Sequence, residues 1–423
     1  MRYRAIPSTV SGTIRAPPSK SVTHRAIVMA ALSGGPCRIR HPLRSEDTEA
    51  TASGMAAFGV DIATSDDDFR VSGGPLQAPV KPIDARNSGT TLRLLAGVAS
   101  LLDGTTTLTG DASLQKRPVG PLLESLQTLG ARAESLDGGG SPPIRVGGVL
   151  RGGSATIPGD VSSQFLSSLL IACPLARNPS EIRVLPPVRS QPYIEMTRRL
   201  MRRFGVESIA DRETYRVAGG QRYEPIDVDV PGDFSSAAFP LAAAALTGGD
   251  VTVSGLEVDG PQGDRRVVEV LRSFGARIDV DGDRVRARGG DLVAQTVDVG
   301  DTPDLFPVLA VLATQAAGES RFINGRHLRW KESDRIDAVV SVLCALGAPA
   351  QATEDGCLVR GPTRLRGAFV DARGDHRILM AAAVAGLAAE DPVDISDPWC
   401  FRVSYPTFLD DLRSLGALHA VVG

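Results

Sequence analysis

The densest run of ionisable residues in this 423-residue chain is Arg326-His327-Leu328-Arg329-Trp330-Lys331-Glu332-Ser333-Asp334-Arg335. Lys331 and Arg335 stand four apart, a like-charge spacing that costs stability on an isolated helix. That cost makes sense if an anion sits between them. Gly374-Asp375-His376-Arg377 opens a helix of small residues with a cation at its positive end, again unfavourable unless an anion is present. Asp301-Thr302-Pro303-Asp304 opens another helix, where a carboxylate is by itself a favourable N-terminal charge.

A second group lies at the other end of the chain. In Pro17-Pro18-Ser19-Lys20-Ser21-Val22-Thr23-His24-Arg25, two prolines pin an extended entry and a hydroxyl residue caps a helix running to Leu32. A lysine, hydroxyls and an arginine at a helix N-terminus form a place to hold an anion, although a capped surface helix explains the same residues. Asn87-Ser88-Gly89-Thr90-Thr91-Leu92-Arg93 puts a glycine at a helix start, where backbone can approach an anion closely. Gln115-Lys116-Arg117-Pro118 puts an arginine before a proline-started helix; alone it reads as solvated. Gly159-Asp160-Val161-Ser162-Ser163-Gln164 stacks three hydrogen-bonding side chains at a cap, suited to hydroxyl or phosphate groups. Its counterpart Gly232-Asp233-Phe234-Ser235-Ser236 lacks the glutamine, so part of this pattern is capping chemistry. Ser190-Gln191-Pro192-Tyr193 also reads as a cap.

These helix starts are positioned by an internal repeat. The pair Phe/Leu-Gly recurs at Phe58-Gly59, Leu129-Gly130, Phe204-Gly205, Phe274-Gly275, Leu346-Gly347 and Leu415-Gly416, at intervals of 71, 75, 70, 72 and 69 residues. A second series of small-residue apolar helices begins near Ser21, Thr90, Ser162, Ser235, Pro303 and His376. Short β-branched runs lie between them, such as Thr105–Leu108 and Glu181–Leu185. Each unit of about 70 residues reads as two helices plus several strands, an α/β module that shares a core with its neighbours. Gly12–Pro18 and Asp227–Gly232 are candidate crossings between two halves of three units. Ser65–Asp68 and Asp137–Pro143 read as exposed turns.

Composition sets the outer bounds. A net charge of −3 supplies no global basic field, so neither nucleic acid nor an anionic membrane is expected as a partner. No apolar run is long enough to span a bilayer. The five cysteines, Cys37, Cys173, Cys344, Cys357 and Cys400, have no metal-ligand spacing and read as small buried residues in a reducing cytoplasm. Only four of the 46 basic residues are lysine, and two of these, Lys20 and Lys331, fall in the clusters above.

PSKSVTHR, NSGTTLR, KRP, DVSSQF, SQPY, KESDR and DHR, in this order and along essentially the whole chain, resemble the enolpyruvyl transferase family, in the branch acting on shikimate 3-phosphate. The resemblance implies two similar domains, each of three βαβαββ repeats around buried helices, with the active site in the cleft between them. The domains would be 1–18 plus 230–423, and an inserted 19–229. It implies transfer of the enolpyruvyl group of phosphoenolpyruvate to the 5-hydroxyl of shikimate 3-phosphate with release of phosphate, a shikimate-pathway step towards aromatic amino acids. It also implies no metal or organic cofactor, a cytoplasmic monomer, and small-molecule substrates as its partners.

Carried over by motif, Lys20, Ser21 and Arg25 would hold shikimate 3-phosphate, with Lys20 also touching phosphoenolpyruvate. Ser162, Ser163 and Ser190 would bind the phosphate and ring side, and Gln164 would lie between the substrates. Gly89, Arg117, Arg335 and Arg377 would bind phosphoenolpyruvate. Asp304 would hold the ring hydroxyls and take the attacking proton, Lys331 would assist, and Glu332 would deliver a proton to the methylene carbon. The chain departs from the family at His327, where many relatives carry Asn, and at Val403, where many carry Lys. Arg402 is adjacent but would point elsewhere on a strand. The branch acting on UDP-N-acetylglucosamine usually has a reactive cysteine before its Arg-Pro; here Asp111–Lys116 contains none, and that branch lacks the PSKS pattern. A non-catalytic phosphometabolite-binding protein on the same fold would not require Asp304 and Glu332 in an anion site.

Overall fold

The computed structural model describes every residue from Met1 to Gly423 except Asp66. The chain divides into two compact units, Met1–Pro17 with Pro231–Gly423, and Pro18–Val230, each around its own hydrophobic core.

Each unit contains three four-stranded sheets among the described residues, and all six sheets share one pattern. Gly153–Pro158 runs parallel to Ser180–Leu185, which pairs antiparallel with Thr214–Val217, which pairs antiparallel with the edge strand Ile209–Asp211. The parallel pair needs a crossover, and the Ser163–Ala172 helix supplies it. The Gln191–Arg203 helix then leads to the antiparallel hairpin. This is one βαβαββ repeat.

Three sheets are completed by distant strands. Val228–Asp229 runs parallel to Pro36–Arg40, and Arg2–Ile6 lies between Val393–Ile395 and Leu418–Val422. Ser11–Arg15 pairs with Asp250–Ser254, yet the chain leaves it directly into the Lys20–Leu32 helix. It returns from Val228–Asp229 into the Phe234–Thr247 helix. The second unit is thus inserted into the first repeat of the first unit.

The Phe/Leu-Gly signal has a backbone cause. Phe58, Leu129, Phe204, Phe274, Leu346 and Leu415 are buried C-caps of the outer helices. The glycine after each has φ of 94°, 94°, 76°, 101°, 86° and 90°. Only glycine enters that region without steric cost, so each repeat marks its helix end with the same two residues.

Beyond their polar first turns the inner helices are largely apolar all round, as full burial requires. Every residue of Phe306–Ala313 and of His376–Leu387 is buried. Small residues let them approach closely: a Cβ on Gly97 would lie 2.8 Å from the Ser168 carbonyl oxygen of the neighbouring inner helix.

Several expectations are corrected. Cys344 is exposed and Cys400 half-buried, so not all cysteines are core residues. Within the expected exposed turn Ser65–Asp68, Asp66 lies outside the described residues. Asp68 is buried at the start of a strand, where Arg38 Nε donates to it at 2.7 Å. The fifth inner helix begins at Phe306 rather than near Pro303, leaving Asp304 in the preceding turn. Arg402 lies in a 3-10 turn, Cys400–Val403, not on a strand, with its guanidinium 4.5 Å from the Trp399 ring centroid.

Candidate active site

The starts of the inner helices differ between the units. In Pro18–Val230 the caps are neutral: Ser19, Ser88 and Ser162 accept from the amides of Val22, Thr91 and Gln164. In the other unit Asp233 accepts from the amides of Ser235 and Ser236, and Asp375 from that of Arg377. Asp304 stands immediately before the third helix's cap, Leu305. Neutral caps leave helix dipoles available to an external anion, whereas aspartates already answer them.

Within the inserted unit, Lys20 is the first residue of its helix, and its Nζ lies 2.9 Å from Asp47 Oδ2. One turn on, Arg25 is 2 % exposed. Its guanidinium donates to Thr197 Oγ1 at 2.7 Å, to the Ser21 carbonyl at 2.9 Å, to Ser167 Oγ at 3.3 Å and to the Tyr193 carbonyl at 3.4 Å. All four acceptors are neutral, and no carboxylate among the described residues lies within ion-pair distance. Burial pushes the Arg25 guanidinium down to about 10. A buried cation held only by neutral groups is costly unless an anion joins it.

Gly89 opens its helix beneath two guanidiniums: a Cβ there would lie 3.1 Å from Arg93 Nη1 and 3.4 Å from Arg117 Nη1. Arg117, expected to be solvated on its own reading, is 5 % exposed. It donates to Asn87 Oδ1 at 2.5 Å and Ser113 Oγ at 3.1 Å. Arg93 donates to Gln164 Oε1 at 2.6 Å and the Pro118 carbonyl at 3.1 Å, and Gln164 Nε2 donates to Thr90 Oγ1 at 2.8 Å. Gly89, Arg117 and Gln164 therefore form one cluster. Ser162 and Ser163 start the helix that carries Gln164. Ser190 makes no side-chain cap; it is buried in a left-handed conformation at φ 55°.

In the other unit Arg335 is the hub, 1 % exposed. Nη1 donates to Asp304 Oδ1 at 2.7 Å, Nη2 to Glu332 Oε2 at 2.7 Å, and Nε to Asp375 Oδ2 at 2.9 Å. Arg377 Nη2 donates to the other Asp304 oxygen at 2.8 Å, while its buried Nε and Nη1 have no partner among the described residues. Burial alone would raise the Asp304 carboxyl; Arg377, Arg335 and Lys331 overrule it and hold the group well below the carboxylate range. Asp264 goes the other way. Burial first, then the charge of Asp304, pushes it up to about 7 while the Ser235 hydroxyl donates to it.

Two charge arguments from sequence are corrected here. Lys331 is extended and Asp334 caps the helix that starts at Arg335, so Lys331 and Arg335 do not share a helical face. Asp375 and Asp304 supply the anions that Arg377 needs at its helix start. His327 is buried in the Arg326–Trp330 turn. The expected list missed Asp47, Arg93, Asp264 and Asp375. Arg93 and Asp375 lie inside the motifs NSGTTLR and DHR, and that membership was the available signal.

The family model for EPSP synthase (3-phosphoshikimate 1-carboxyvinyltransferase) matches residues 5–412. The chain belongs to the EPSP synthase family. A 3-phosphoshikimate 1-carboxyvinyltransferase of Methanocorpusculum labreanum is 48% identical over 413 residues, 97% of either chain. One of Halobacterium salinarum is 44% identical over 427 residues, 99% of either chain. An EPSP synthase structure from Acinetobacter baumannii superposes with a TM-score of 0.83 at 28% identity, covering 100% of both chains. The Acinetobacter baumannii structure thus shares this chain's α/β fold along its whole length. No helix among the described residues is long and apolar enough to cross a membrane.

Proposed function

We propose that residues of both units serve one reaction: carboxyvinyl transfer from phosphoenolpyruvate to the 5-hydroxyl of 3-phosphoshikimate, through a tetrahedral adduct, with release of phosphate. The observation that carries the residue roles is the pair of carboxylates on one guanidinium, Asp304 and Glu332 on Arg335. Addition needs one proton taken from the hydroxyl and one given to the methylene carbon, and elimination reverses the second transfer. Asp304, held anionic by Arg335, Arg377 and Lys331, suits the first task. Glu332, with its side chain 18% exposed beside the Arg335 guanidinium, suits the second.

The anion-holding roles fall mainly to the inserted unit. Lys20, Ser21 and Arg25, with Ser162, Ser163 and Ser190, hold 3-phosphoshikimate. Its phosphate and carboxylate would relieve the uncompensated charge of Arg25. Gly89 and Arg117, with Gln164, meet phosphoenolpyruvate. From the other unit Arg335 and Arg377 bind its charged groups, Arg377 through the two nitrogens that lack partners. Lys331 and His327 flank the acceptor. The protein acts as a cytoplasmic monomer.

The test is phosphate release. Purified protein releases phosphate when both substrates are present and not with either alone. Release with UDP-N-acetylglucosamine as acceptor, or none with either acceptor, overturns the reading. Size-exclusion chromatography with light scattering checks the monomer.

A further inference from the structure

Behind Lys20 and Gly89 lies a buried ladder of side chains that the reaction itself does not use. Lys20 Nζ meets Asp47 Oδ2 at 2.9 Å, and one turn along the same two helices His24 Nδ1 meets Thr51 Oγ1 at 2.7 Å. These are two rungs between the Lys20–Leu32 and Glu46–Ala57 helices. Both continue to a third helix through one hydroxyl. Thr91 Oγ1 lies 2.6 Å from Thr51 Oγ1 and 3.2 Å from the Asp47 carbonyl oxygen. It also lies 2.7 Å from Ser88 Oγ, the cap of the helix that Gly89 opens.

The ladder has a direction. The Asp47 carbonyl can only accept, so Thr91 donates to it or to Ser88. Thr51 then donates to Thr91, and His24 Nδ1 must carry the proton given to Thr51. His24 Nε2 is left as a bare lone pair, consistent with its burial without a partner among the described residues. Burial, then the charges of Lys20 and Arg25, keep His24 well below its ordinary value, so the ring stays neutral and carries a single N–H. His24, Thr51 and Thr91 are all fully buried. Unpaired polar groups in such a place destabilise a core, and here the imidazole and the two hydroxyls pair with one another.

We propose that His24, Thr51 and Thr91 are positioning residues that set the distance between the Lys20 ammonium and the Gly89 helix start. The inference rests on the reading that Lys20 and Gly89 hold substrate. The decisive comparison is Thr51→Val against Thr51→Ser. Valine keeps the shape and removes the hydroxyl; serine keeps the hydroxyl. Thr51→Val raises KM for phosphoenolpyruvate about tenfold, with kcat within about twofold, and Thr51→Ser stays near the parent protein. A purely structural role lowers the thermal midpoint of Thr51→Val and leaves KM unchanged, which overturns the proposal. Lys20→Ala, measured alongside, separates the two ideas. If it leaves KM unchanged for both substrates, the substrate-holding reading fails; if it raises KM while Thr51→Val does not, the ladder alone fails. Should Thr51→Val not fold, nitrogen-15 NMR of the unmodified protein decides. The proton is expected on His24 Nδ1, and finding it on Nε2 overturns the ladder.

Discussion

Arg335 Nη1 sits 2.7 Å from Asp304 Oδ1, inside a set of contacts in which one buried guanidinium touches three carboxylates. At Asp304, in turn, two guanidiniums share one anion. A substrate carboxylate or phosphate can take over one of them. The Asp304 carboxyl would then regain basicity at the moment a hydroxyl proton must be removed. Site occupancy and base strength are linked through the same pair of atoms.

Asp304→Asn removes the proton acceptor and frees both guanidiniums for substrate. A loss in kcat of about 10²- to 10⁴-fold is expected, with KM for phosphoenolpyruvate unchanged or lower. Steady-state kinetics with each substrate varied in turn separates the two effects. A rise in KM with kcat preserved would mean that Asp304 only binds.

Glu332→Gln keeps the hydrogen bond to Arg335 and removes the proton. Both substrates still bind by calorimetric titration, while turnover falls by at least about 100-fold. Near-parental turnover would assign the methylene proton to another group.

How much of this was legible in sequence depends on what each residue answers to. The Phe/Leu-Gly pairs were legible because left-handed backbone at each helix end admits one residue type, and that demand is local. The inner-helix starts were legible for the same reason, through their Ser and Asp caps. The repeat spacing puts a helix start near Pro303, with Asp304 in its first turn. The helix instead begins at Phe306, whose neighbours bury completely, and the turn aims the carboxylate at two arginines. Like-charge repulsion between Lys331 and Arg335 needs a helix across both, yet Asp334 caps one after Lys331 and resets the face. Arg117 reads as solvated until Asn87, 30 residues away, is seen to accept from it. That partner sits elsewhere in the same repeat, before another helix, and no local pattern encodes it.

Arg25 makes a stability prediction opposite to the usual one for a buried side chain. Its charge is held by neutral acceptors only, so Arg25→Met removes a desolvated cation along with four hydrogen bonds. These contributions oppose each other, and the thermal midpoint is expected to stay within about 3 °C of the parent. Affinity for 3-phosphoshikimate, read by titration, falls about 100-fold or more, since the anion loses its fixed partner. A large drop in midpoint with affinity retained would make Arg25 a structural residue.

Asp264 carries a pH signature of defined sign. Its carboxyl is raised from 3.8 to about 7 in the folded chain, with burial the leading cause and Asp304 the next. Between these values the folded state holds a proton that the unfolded chain has released. Protonation at Asp264 therefore contributes stability that is full below about pH 4 and is lost as pH rises through about 7. Asp304, held low, has the opposite sign and loses its contribution only in strong acid. Asp264→Asn keeps a neutral hydrogen-bonding group beside Ser235 and abolishes the Asp264 titration. Relative to the parent, the variant should gain stability as pH rises from about 4 to 7, by on the order of a few kcal/mol, and then level off. Denaturant unfolding of both proteins across that range is the measurement. A stability difference that does not change with pH would mean that Asp264 is ionised in the folded protein throughout.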